Sequence, residues 1–133
     1  MYKRQVGASS KYEYPTTPFQ SGVAYVFQIP DGGATYEQVA KLTASDAMEM
    51  ANFGNSVAID GDTVVVGASY DGPTNSGSAY VFRTTDGGAT YGQVAKLTSA
   101  DAAARYDSFG WSVAVDGDTV AVSYTHLTLP TKA

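Results

Sequence analysis

Apolar residues in this chain come in short runs, and each run is closed by a cluster of Gly, Asp or Pro. Residues 24–27 (AYVF) are aromatic and β-branched, a composition that suits a pleated, half-buried surface, and they predict a strand. The Asp31-Gly32-Gly33 that follows is a hairpin signal, because glycine accepts the positive φ of such turns. Residues 35–42 are the returning strand. Residues 43–52 read as a loop with room for a short helical turn. The alternation then resumes with strands at 56–59 and 63–67 around Asp60-Gly61-Asp62. A polar loop covers 70–76, and strands at 79–82 and 90–97 flank Asp86-Gly87-Gly88. Val64, Val65 and Val66 break the strict alternation of a one-sided sheet. An apolar strand without alternation is expected to be buried on both faces, as in a sheet sandwiched between two others.

The pattern repeats. Residues 22–43 match 77–98 at 17 of 22 positions with an offset of 55, and residues 109–122 match 53–66 at 11 of 14 with an offset of 56. A repeat of this fidelity is the primary fold signal. Each unit holds four short antiparallel strands. The expected fold is all-β, a partial β-propeller of about two four-stranded antiparallel blades with a period of about 56 residues. Residues 6–52 form a partial blade, 53–108 a complete repeat and 109–122 the start of a third. Residues 1–5 and 123–133 have no counterpart in the repeat and are read as additions of the kind left by sequencing read-through. A closed propeller needs roughly 4–8 blades, so the chain is expected to be a fragment whose partners include the remaining blades. The loop at 10–21 is longer than its equivalent at 70–76. Its Tyr14, Pro15 and Phe19 serve either as a contact patch or as cover for a blade edge.

Composition narrows the function classes. The net charge is −5, with 8 basic and 13 acidic residues. That balance speaks against nucleic acid, whose binding needs clustered Lys and Arg. There is no cysteine, so disulfides and thiolate metal sites are excluded. No apolar run approaches the roughly 20 residues of a membrane-spanning helix, and no signal peptide is visible at residues 1–10.

The unit beginning Phe53-Gly54, continuing through Val66-Gly67-Ala68-Ser69 and Ala79-Tyr80-Val81-Phe82 and restarting at Phe109-Gly110, resembles the FG-GAP repeat of integrin α-type β-propellers. Gly67-Ala68-Ser69 stands where the family often has Gly-Ala-Pro. The resemblance implies an extracellular or cell-surface module that binds protein or glycan ligands through its loops. It also implies calcium in some members. In this chain the loop assigned to that role, residues 69–76, offers Asp71 and Asn75 as side-chain ligands. Calcium needs 6–8 oxygens, and the competing reading is an Asx-type turn in which Asp71 accepts backbone N–H groups.

Residues 84–91 (TTDGGATY) resemble the Asp-box of sialidase-like propellers, and residues 29–36 keep the motif except for its first hydroxyl. The resemblance implies that Asp86 and Asp31 staple turns. Asp60, Asp62, Asp116 and Asp118 form Asp-Gly-Asp pairs between strands, which hairpin turns require for backbone reasons; paired carboxylates also serve acid–base chemistry. The single histidine, His126, lies outside the repeats, and Arg83 and Arg105 are too few for the arginine cluster of a sialidase site. Trp111 replaces Asn55 in the third unit. Its ring is either a ligand-stacking platform or packing between blades. The function expected from these features is a non-enzymatic interaction module. The alternative is the accessory propeller of a glycan-acting, sialidase-like hydrolase.

Overall fold

A computed structural model describes residues 4–9, 22–29, 33–46, 51–72, 76–99 and 108–123. Nine strands follow in order: β1 (Arg4–Ser9), β2 (Val23–Gln28), β3 (Glu37–Leu42), β4 (Phe53–Asp60), β5 (Thr63–Ala68), β6 (Ser78–Arg83), β7 (Gly92–Leu97), β8 (Ser112–Asp116) and β9 (Thr119–Ser123). They make three antiparallel meanders, β1-β2-β3, β4-β5-β6-β7 and β8-β9. The expected all-β repeat architecture is present, one sheet per unit. Residues 43–46 form no helix, and 47–50 lie outside the described residues.

Most strands run a residue or more beyond the pattern reading, β4 from Phe53 rather than 56, while two start later than expected. The strands expected from 35 and 90 begin at Glu37 and Gly92, and in the second copy the preceding residues are held by the turn. Asp86 accepts hydrogen bonds from Thr90 N–H (2.9 Å) and Thr90 Oγ1 (2.6 Å), which draws Thr90 into the hairpin. The ladder also shifts register between Val26 and Phe27 and again between Val81 and Phe82. The same bulge therefore recurs at equivalent places in two units.

The middle sheet is covered on both sides. Val64, Val66, Tyr80 and Phe82 pack with Ala24, Val26 and Leu42 of the first sheet. Val65, Ala79 and Val81 pack with Val113, Val115, Val120 and Val122 of the third. All three consecutive valines are fully buried. Burying one such side chain stabilises by roughly 1.5–3 kcal/mol. Phe53 lies between the first two sheets, its ring edge-on to Tyr80 and Phe82 at centroid distances of 5.4 and 6.1 Å.

Candidate functional site

The Phe-Gly pair that opens each repeat sits at the centre of a tight turn. Asn55 N–H donates to Asn52 C=O (3.1 Å), and Trp111 N–H donates to Ser108 C=O (2.9 Å). Gly54 and Gly110 both have φ of 95°, which a type II turn demands at its third position. Each turn then lies against the preceding repeat. Phe109 N–H donates to Ser76 C=O (2.9 Å), and Gly77 and Phe109 form a parallel bridge. A Cβ on Gly77 would fall 2.0 Å from the Phe109 carbonyl oxygen, and one on Gly22 would fall 2.0 Å from that of Phe53. Close approach of two backbones therefore selects glycine at the start of both GxAYVF segments.

Asn55 ties this seam together. Its Oδ1 accepts from Ser69 N–H (2.9 Å), and its Nδ2 donates to the carbonyls of Gly110 (3.1 Å) and Trp111 (3.2 Å). Ser56 Oγ donates to Gly110 C=O as well (3.0 Å). Trp111 holds the sequence position of Asn55 one repeat later, and its side chain is 51% exposed. It is not packed between sheets among the described residues.

Asp71 is placed very differently. It is 1% exposed. Its Oδ2 accepts from Ser78 Oγ (2.7 Å) and lies 2.8 Å from the Lys96 ammonium. Its backbone N–H donates to Ala68 C=O, and its C=O accepts from Gly77 N–H. Lys96, on β7, also pairs with Asp46, which follows β3 in the previous repeat. The second oxygen of Asp46 accepts from Tyr80 Oη (2.8 Å). Ser45 N–H donates to Gln93 Oε1 (3.1 Å), which brings the same loop down on β7. The ammonium stands 5.3 Å from the Tyr80 ring centroid.

The electrostatics follow from that geometry. Burial disfavours the ionised form of Asp46, but the hydrogen bonds from Lys96 and Tyr80 outweigh it and hold the carboxyl below its ordinary value of 3.8. Burial, the hydrogen bond to Asp46 and the nearby Asp71 charge push the Tyr80 phenol well above 10.0. Burial works against the Lys96 charge, yet Asp46 and Asp71 raise the ammonium well above 10.5. Tyr80 thus stays an O–H donor and Lys96 stays a cation.

Among the described residues, the surroundings of Asp71 do not assemble a calcium site. Asp71 Oδ2 already faces an ammonium, Asp46 is engaged on both oxygens, and Asn75 lies outside the described residues. Among the described residues no group of three or more acidic, His or Cys side chains converges. A dication placed on Asp71 would meet the Lys96 charge. Asp71 Oδ1 is buried without a hydrogen-bond partner among the described residues, and one oxygen is far from the 6–8 that calcium takes.

The remaining carboxylates serve turns. Asp86 Oδ1 accepts from Thr84 Oγ1 (2.8 Å) as well as from Thr90 N–H. Thr84 Oγ1 in turn accepts from Gly88 N–H (2.9 Å). The bonds from the Thr90 hydroxyl and N–H hold the Asp86 carboxyl far below the usual carboxylate range. Tyr91 packs against the core shared by the first two sheets, so the Asp-box-like turn works as a staple. Asp31 lies outside the described residues. Asp60 Oδ2 accepts from Gly117 N–H (2.6 Å), which joins the Asp-Gly-Asp turns of two repeats. These turns, with Arg83 and Thr84, line a shallow cleft of about 460 Å³. Arg83 and Asp118 approach at 3.8 Å there, both largely exposed, a contact that contributes little.

Asp71 is sealed in the seam of the first two repeats and Trp111 is exposed at the start of the third, so the two form no common surface site. Sequence reasoning passed over Asp46, Tyr80 and Lys96. A signal was present: Tyr25/Tyr80, Lys41/Lys96 and Asp46/Asp101 recur at the offset of 55. A tyrosine and a lysine kept opposite each other on paired strands, with an aspartate five residues after the lysine, is a pattern that a pass for catalytic motifs overlooks.

The FG-GAP repeat family model matches residues 36–82 and 91–125, more than half of the chain. No curated protein matches it.

Proposed function

The chain belongs to the FG-GAP repeat family, and from that premise we propose that it is part of a non-enzymatic, extracellular or cell-surface β-propeller module that binds a protein or glycan ligand through loops at one end. The observation that carries this reading is the use made of the polar side chains. Asp46, Lys96 and Asn55 hold repeats together, Asp71 pairs with Lys96 inside one repeat, and Asp86 holds a turn. Among the described residues each of these groups is engaged in structure, which favours a binding role over acid–base chemistry. The strand directions put the turn before β8, the loop after β3 and the loop after β5 at the same end of the sheets. Trp111 stands at that end with half its surface in solvent. An exposed aromatic ring offers a stacking face for a sugar or an apolar side chain.

The test is binding by the full chain to an array of immobilised glycans and to a panel of cell-surface ectodomains, with Trp111→Ala alongside. Saturable binding that Trp111→Ala weakens at least tenfold, with an unchanged unfolding midpoint, supports the reading. Turnover of fluorogenic glycosides by the chain would replace it with that of a glycan-acting hydrolase.

A further inference from the structure

The position at which two carboxylates converge holds a lysine. Asp46 comes from the loop after β3, in the first repeat. Asp71 comes from the loop after β5, in the second. Lys96 on β7 reaches both, at 2.8 Å from Asp71 Oδ2 and in direct contact with Asp46 Oδ2. Tyr80 completes the group by donating to the other Asp46 oxygen, and Ser78 by donating to Asp71. The contacts cross the seam between repeats: 34 and 50 residues separate Tyr80 and Lys96 from Asp46. Asp71 is almost fully buried, and a buried carboxylate without a counter-charge is strongly destabilising.

From this geometry we infer that the Lys96 ammonium is the resident cation of the Asp71 loop, taking the place of a metal ion and clasping one FG-GAP repeat to the next. The clasp answers two needs at once. It neutralises Asp71 inside the seam, and it fixes the loop after β3 to the outer strand of the following sheet, where Ser45 and Gln93 also meet. Covalent attachment of the cation to β7 makes the seam independent of metal supply. Its selectivity is geometric. A repeat docks where its aspartate finds a Tyr–Lys cross-strand pair, here Tyr80 opposite Lys96.

Thermal unfolding of the full chain tests this with calcium chloride or EDTA as the only variable, followed by a mutant cycle. The wild-type midpoint is expected to be the same in both solutions. Lys96→Met is expected to lower it, and Asp46→Ala is expected to lower it less in the Lys96→Met background than in the wild type, because the Lys96–Asp46 contact is already lost there while the Tyr80 bond to Asp46 remains. A calcium-induced rise in the wild type that Asp71→Asn abolishes overturns the inference, as do additive losses in the cycle. Should Lys96→Met fail to fold, Asp46→Ala and Tyr80→Phe supply the cycle instead. Asp46 is half-exposed and Tyr80→Phe keeps the buried ring, and additivity between them likewise overturns it.

Discussion

Gly77 shows how much one position decides. Its φ is 94°, and an added Cβ would meet the Phe109 carbonyl oxygen at 2.0 Å and the Phe109 nitrogen at 2.6 Å. Neither atom is free to move, because both belong to the backbone that bridges the repeats. Gly77→Ala is therefore expected to cost roughly 2–4 kcal/mol in urea denaturation, combining a forbidden backbone angle with a steric clash. Gly92 is the control: its Cβ would meet nothing within 4 Å, so Gly92→Ala is expected to stay within about 0.5 kcal/mol of wild type. Asp86 acts on a similarly local scale. Its carboxylate holds Thr90 N–H, so Asp86→Ala is expected to speed amide hydrogen exchange at Thr90 while the strands beyond the hairpin keep their protection.

At the level of the strand, β6 separates packing from polar contacts. Tyr80 is wholly buried, edge-on to Phe53 at 5.4 Å, while its hydroxyl reaches Asp46. Tyr80→Phe keeps the ring and loses one hydrogen bond to a charged group, with an expected cost of about 1.5–3 kcal/mol. Tyr80→Ala removes the ring as well and is expected to cost about 3–5 kcal/mol. Equilibrium denaturation of the two variants divides the contribution of this side chain between apolar contact and clasp. The equivalent strand of the first repeat, β2, has a different environment despite nearly the same sequence. Ala24 and Val26 are buried there, whereas Tyr25 and Phe27 are only half-buried, their rings tilted by 48° with centroids 6.5 Å apart. One face of that sheet has a neighbour among the described residues and the other does not.

For the whole molecule, two consequences follow. The first concerns association. Among the described residues, a sheet with a half-buried aromatic face and a two-stranded third sheet both present unpaired edges and apolar area. The chain in isolation is expected to sediment as oligomers, and a monodisperse monomer would contradict this. The second concerns pH. Asp46 and Asp86 have folded-state pKa values below the ordinary 3.8, so their stabilisation is present above that value and is lost as pH falls through the folded ones. Tyr80 and Lys96 have raised values, so their stabilisation is present below 10.0 and 10.5 and is lost as pH rises through the folded ones. The unfolding midpoint is thus expected to be flat at intermediate pH, to fall below about pH 4 and to fall again on the alkaline side above about pH 10.

The chain's own sequence determined the repeat, the strand count per unit and the two-sided burial of Val64 to Val66. These follow from periodicity and from Gly and Asp punctuation, which act over a few residues and survive copying. It also marked Asp86 as a turn residue, because the partners of that carboxylate lie within four positions. Only the tertiary structure decided what Asp71 does. The carboxylate looks like a metal ligand when its loop is read alone, and its partner Lys96 lies 25 residues further along the chain, on the far strand of the same sheet. The role of Asp46 was hidden for the same reason, since its contacts cross from one sheet to the next. Exposure likewise separated Trp111 from Asn55, two residues at one repeat position. Charge pairing and burial depend on which surfaces meet, and linear order does not specify that.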